Sequence, residues 1–213
     1  LSRNYVLNEG GRYRLGPALG ALAARGGPAA ALPRLALPRL ESITRATSES
    51  AVVAVLSGSR VVMAAATPSD DGLSCPAPNQ VFPRPLGLAT GRLLVAHLPA
   101  GRRAEHVAQE LRGPGRPAGG PATPDAWERE FAAIRAADLC ETAKGAESGS
   151  AAVPVRDATG TVIAALGSNS IGRLGNPARR RRWVAAVVEA GRLLSLDLGH
   201  RPDGRPQPKG RRS

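Results

Sequence analysis

Aromatic residues are scarce in this chain of 213 residues, at 3% of positions. A core therefore has to be built from Ala, Val, Leu and Ile, which make up most of the 42% hydrophobic content. Cysteine is sparse too, with only Cys75 and Cys140. No C-x-x-C or H-x-x-x-H spacing joins them to His97, His106 or His200, which argues against a structural zinc site. So few cysteines fit a reducing compartment, and a cytoplasmic location is expected. Long apolar runs are missing as well. Arginines and prolines interrupt each one before the ~18 residues that a membrane span needs, so no membrane partner is expected. No signal-peptide pattern follows Leu1, and a start without methionine reads as a truncation.

What the chain has in excess is positive charge. It carries 29 Lys and Arg against 17 Asp and Glu, a formal net charge of +12. From Arg179 to Ser213 ten basic residues face only Glu189, Asp197 and Asp203. Such a balance suits a polyanionic partner such as DNA, and equally suits a solvated basic tail. The length permits one domain that buries a real core without disulfides or metal.

Periodicity then sets the elements. "YVLNEGGRYRLG" (Tyr5 to Gly16) reads as two short strands around the turn Asn8 to Gly11. A helical rhythm follows in Leu15, Leu19 and Leu22 and stops at Gly26-Gly27. A second helix covers Ala29 to Thr47, where Pro33 and Pro38 should kink or restart it. Leu35, Leu40 and Ile43 supply its apolar face. "AVVAVLSGSRVVMAAA" (Ala51 to Ala66) is a hairpin with its turn at Ser57-Gly58-Ser59. Thr67 to Pro85 is a proline-rich loop. Leu88 to Leu98 is a helix, and another runs from Pro99 to Gly113. Thr123 and Pro124 open a further helix with Trp127, Phe131 and Ile134 on one face. "SAAVPVRDATGTVIAALG" (Ser150 to Gly167) is a second hairpin, with Ala151 to Val155 and Thr161 to Leu166 as strands and Asp157 to Gly160 as turn. Asn176 and Pro177 start a last helix, whose inner stripe is Val184, Val187, Val188, Gly191 and Leu194. After Gly199 the chain has too little apolar content to fold. Two antiparallel hairpins most simply share one sheet, with helices on one side of it, an α+β sandwich. The second hairpin would floor a small-molecule pocket formed by the connections.

Catalytic patterns are missing. There is no G-x-S-x-G, Walker loop or H-E-x-x-H, and no cofactor is expected. Asp70-Asp71 reads as a solvated loop before it reads as a metal pair. His97 and His106, nine apart, are expected at the surface. Cys140 could be a thiolate nucleophile, but a small buried residue is the better reading.

Several segments together resemble the effector-binding region of IclR-type bacterial transcriptional regulators, from about Tyr13 to Leu198. "YRLG" (Tyr13 to Gly16) is similar to the motif closing that family's winged helix-turn-helix. "ALPRLESITRATSESAVVAVLSGSRVV" is similar to its helix leading into the first hairpin. Ala89, Gly91 and Arg92 resemble its Ala-x-Gly-Lys helix, with Arg for Lys. "TPDAWEREFAAIRAADL" and "AAVPVRDATGTVIAAL" resemble the helix before its signature segment and its strand–turn–strand.

The resemblance implies a GAF-like antiparallel sheet flanked by helices, of α+β class. It divides the chain into a wing remnant (1–13), a linker helix (14–27), the GAF-like domain (28–199) and a disordered basic tail (200–213). The implied partners are a small-molecule effector, usually an organic acid, and further copies of the chain in a dimer or tetramer. Operator DNA would be bound through a recognition helix absent from these residues. Carried over by position, the effector site is Gly87, Leu88, Cys140, Ser150, Gly167 and Asn169. The family pattern is departed from at Cys140, Ala143, Glu147, Ser150 and Gly167, which leaves fewer polar side chains and favours a more apolar or bulkier ligand. Two other classes stay open: a stand-alone small-molecule-binding or scaffold domain without a DNA target, and a hydrolase using Cys140.

Overall fold

A computed structural model describes residues 6–9, 11–15, 27–70, 75–113, 120–143, 147–172 and 175–202. Most of the expected linker helix and the tail beyond Pro202 lie outside them. The first two strands, β1 (Val6–Glu9) and β2 (Arg12–Leu15), pair antiparallel. Their turn is tighter than expected, because Asn8 and Glu9 already sit in the ladder opposite Tyr13 and Arg12.

Helix α1 (Gly27–Thr47) runs unbroken through Pro33 and Pro38. Each proline removes one backbone donor, which should favour a kink. Both rings lie on the exposed side, where water can satisfy the carbonyls they leave unbonded. The inner face packs through Leu32, Ala36, Leu40 and Ile43.

The two predicted hairpins are present as β3 (Ser50–Ser57) with β4 (Arg60–Thr67), and β7 (Gly149–Arg156) with β8 (Val162–Ser170). They join through β3 and β8, with Val52 opposite Gly167. Two short strands extend the sheet at its edges, β5 (Val81–Phe82) and β6 (Cys140–Ala143), for an order β5-β4-β3-β8-β7-β6, antiparallel throughout. In the second turn the Asp157 carboxylate accepts from the Thr159 hydroxyl first, and then from the Thr159 and Thr161 N–H groups, which holds its pKa below the usual carboxylate range.

Helices cover both faces, not one. On one side lie α1 and α5 (Pro177–Asp197), packing Trp183, Val187 and Leu194 against Val53, Val153 and Leu166. On the other lie α2 (Ala89–Ala96) and α4 (Pro124–Ala137), packing Leu93, Trp127 and Phe131 against Val52, Met63, Ala152 and Ala165. The signal for this was in β3. Its apolar residues run on without alternation, as in a strand buried on both faces, and all of Ser50 to Ala54 is buried.

Helix α3 (Ala100–Arg112) packs beside α2 and α4. It has little apolar content, so His106 and Glu110 complete its inner face with Val107. This overturns the surface placement of His106, and His97 is also largely covered. Both expected caps form: the Thr123 hydroxyl accepts from Ala126 N–H, and the Asn176 side chain from Ala178 and Arg179 N–H. In α5 the inner stripe takes Trp183 and Ala190, whereas Val188 faces solvent.

Candidate functional site

The sheet's α2 side is not filled to its end. A cavity of about 300 Å³ opens where β3, β7 and β8 meet the turn before α2. Ser150 of β7 and Gly167 and Asn169 of β8 form its floor, Val52, Met63 and Phe82 form an apolar wall, and Gly87 to Thr90 bound it from above. Five of the six residues proposed from sequence, Gly87, Leu88, Ser150, Gly167 and Asn169, thus meet around one space.

Cys140 does not join them. It lies on β6 in a separate groove with Arg92, Glu130, Ile134 and Leu139. Burial pushes its thiol up to about 12, which keeps it protonated and counts against a thiolate nucleophile. Among the described residues no three His, Cys, Asp or Glu converge as a metal site. No described helix is long and apolar enough to cross a membrane.

Ser150 and Asn169 are directly opposed in the β7–β8 ladder. The Ser150 hydroxyl donates to Asn169 Oδ1 at 2.6 Å. Across the cavity, Leu88 is an extended N-cap residue that offers α2 no side-chain cap. The N–H groups of the first turn of a helix have no intrahelical partner. They carry a partial positive charge and are suited to an anion.

Two glycines permit this approach. A Cβ on Gly91 would lie 2.0 Å from the Pro85 carbonyl oxygen, so only glycine lets the 3-10 turn Pro85–Gly87 fold against α2. A Cβ on Gly167 would lie 2.7 Å from Thr90 Cγ2, so its bareness lets α2 descend onto the sheet. Arg92 then locks the turn. Buried beneath it, Arg92 donates from Nε to the Leu86 carbonyl at 2.8 Å and from Nη1 to Glu130 at 2.9 Å. Its guanidinium also lies 5.1 Å from the Trp127 ring centroid, a cation–π contact.

The alternate residues of β8 face the other layer. Ser168 Oγ donates to the Ser50 carbonyl at 2.6 Å and accepts from Trp183 Nε1 at 2.8 Å. Ser170 Oγ donates to the buried Glu49 carboxylate at 2.9 Å. Sequence reasoning missed this pair. The period of two along β8 could have found it, since residues flanking Gly167 and Asn169 must point the opposite way.

A six-stranded antiparallel sheet between helices is a fold that this chain shares with solved transcriptional regulators, several of them of the IclR type. Solved structures that resemble this chain include whole regulators and C-terminal domains of regulators. An IclR transcriptional regulator from Silicibacter sp. superposes with a TM-score of 0.75 at 22% identity, covering 93% of this chain and 79% of that one. An IclR homolog from Microbacterium hydrocarbonoxydans, solved with 4-hydroxybenzoate, gives 0.69 at 26% identity over 92% of this chain and 80% of the other. The C-terminal domain of the Escherichia coli regulator KdgR gives 0.64 at 22% identity, over 79% of this chain and 99% of that domain. No family model and no curated protein matches the sequence.

Proposed function

We propose that this chain is the ligand-sensing part of a one-component transcriptional regulator of the IclR type, acting in the cytoplasm, and that its effector is a small organic acid. The observation that carries this reading is the cavity in which the uncapped start of α2 faces the Ser150–Asn169 pair. An acid's carboxylate would take the α2 N–H groups and the Asn169 amide, while its body lies against Val52, Met63 and Phe82. Charge-assisted hydrogen bonds in a dry site are the strong ones. The Microbacterium homolog's ligand, a carboxylate on an apolar ring, supports the same chemistry.

In this reading residues 1–13 close a winged helix-turn-helix, 14–27 link it to the domain spanning 28–199, and operator contact falls to that winged module. The chain works as a dimer or tetramer. Effector binds one arrangement of copies better than another, and operator affinity changes by that difference. Cys140 is dropped from the site, and Val52, Met63, Phe82 and Thr90 join it.

A thermal-shift screen of aromatic and aliphatic acids tests the site. A ligand at one hundred times its Kd stabilises the fold by about 2.7 kcal/mol, a shift of several degrees. Asn169→Leu should abolish the shift. If no acid at millimolar concentration raises the melting temperature, or if Asn169→Leu responds like the parent chain, the reading is wrong.

A further inference from the structure

The first two turns of α5 carry Arg179, Arg180, Arg181 and Arg182 in succession. Four cations at a helix N-terminus oppose the helix dipole, so the placement does not serve the helix itself. Two of the four are held from other elements. Arg179 lies 3.6 Å from the carboxylate of Glu49, which is buried and also bound by Ser170. Arg180 makes a two-nitrogen contact with Glu141 of β6, at 2.7 and 3.2 Å. Arg181 and Arg182 face solvent. Because α1 and α5 run antiparallel, with Arg39 on Asp197 near one end and Glu49 by Arg179 at the other, the exposed Arg45 of the last turn of α1 belongs to the same end of the layer.

From this we infer that the α5 end is a phosphate-binding surface for duplex nucleic acid, contributed by the ligand-sensing domain itself. It rests on the regulator reading above, to which it adds a second DNA contact without base recognition. Guanidinium groups match phosphate geometry with two donors each. The ion pairs to Glu49 and Glu141 fix the turn, so Arg181 and Arg182 project from a rigid base and lose less freedom on contact. A cluster that served only solubility would need no such anchoring. Contacts of this kind position a protein on the backbone and read no sequence.

The test measures binding of the 213-residue chain to a labelled duplex of arbitrary sequence over a salt series. Each phosphate contact adds about 0.9 to the slope of log affinity against log salt. The pair Arg181→Ala with Arg182→Ala should lower that slope by about 2. The pair Arg34→Ala with Arg129→Ala removes the same charge from exposed sites on α1 and α4 and should leave the slope nearly unchanged. Arg181→Lys with Arg182→Lys should restore most of it. An equal loss in both alanine pairs means diffuse charge, and overturns the inference. So does an absence of duplex binding at low salt. So does binding to phosphatidylserine vesicles that needs Arg181 and Arg182 while duplex binding does not. The acid screen is a separate readout, so failure here leaves the ligand-sensing reading standing.

Discussion

The two faces of the sheet are closed by different means. On one, two 21-residue helices, α1 and α5, lie antiparallel and bury aliphatic side chains around Trp183. The Trp183 N–H has a partner in Ser168. On the other, the eight-residue α2 is held between the sheet and α4 by a buried arginine and by Trp127, whose N–H has no hydrogen-bond partner among the described residues. His106 is buried there and His97 largely covered, each with a ring nitrogen that has no hydrogen-bond partner among the described residues. One face is a packed wall. The other has polar groups left over, two short elements and a cavity. The less completely packed, polar face is the one with the features of a binding site, and the packed face fixes its floor from behind.

The largest effect should come from Gly91→Ala. Its Cβ would meet backbone, which cannot yield as a side chain can. Overpacking of this kind costs about 3 kcal/mol, read by chemical denaturation. A cost below about 1 kcal/mol would show that the turn is looser than described. Next, the two tryptophans separate the faces. Trp183→Phe loses a buried hydrogen bond and should cost about 1 to 2 kcal/mol more than Trp127→Phe. Equal costs would dissolve the contrast.

Gly167→Ala meets the tip of Thr90 at 2.7 Å and, less closely, the Ala151 carbonyl oxygen at 3.1 Å, so stability should fall by about 1 kcal/mol. Its main effect is expected on the acid-induced thermal shift, which should disappear as the methyl group enters the cavity floor.

The smallest effect is on pH dependence. Burial first, then the charge of Arg102, holds His106 below the ordinary histidine pKa; burial and then Arg156 do the same for His97. The folded state therefore resists protonation that the unfolded chain accepts. Stability is full above the ordinary value of about 6.5 and is lost as pH falls through it toward the lower folded values. Denaturation midpoints at about pH 7.5 and 5.5 should differ, and His106→Gln should shrink the difference. A flat profile in the parent chain would place these histidines in water.

Much of this was legible in the sequence where one rule acted alone. Asn176-Pro177 and Thr123-Pro124 marked helix starts by capping chemistry, and both hairpins showed in apolar runs broken by polar turns. The reading failed where tertiary context decided. "CETA" has no apolar alternation, so β6 was invisible until β7 was there to pair with it. Pro33 and Pro38 were judged as breakers without knowing that both face water. The nine-residue spacing of His97 and His106 gives no common face and so points both to the surface, yet the scarcity of apolar residues on α3 is why His106 goes in. Five of the positions carried over by family resemblance line one cavity. Cys140 lies apart from them because it sits two strands from β8, on an edge that the sequence did not reveal.

The contact between Gly91 and Pro85 has a practical consequence for anyone who would retune the proposed effector cavity. It divides the cavity into a wall that cannot be edited and one that can. Residues from Pro85 to Arg92 form a single locked unit, so substitutions there trade folding for any gain in selectivity. Phe82 sits on a two-residue edge strand and Met63 on the strand beside it, and neither carries a backbone constraint of that kind. A library aimed at new ligands belongs on those two positions, with Asn169 kept as the fixed polar anchor.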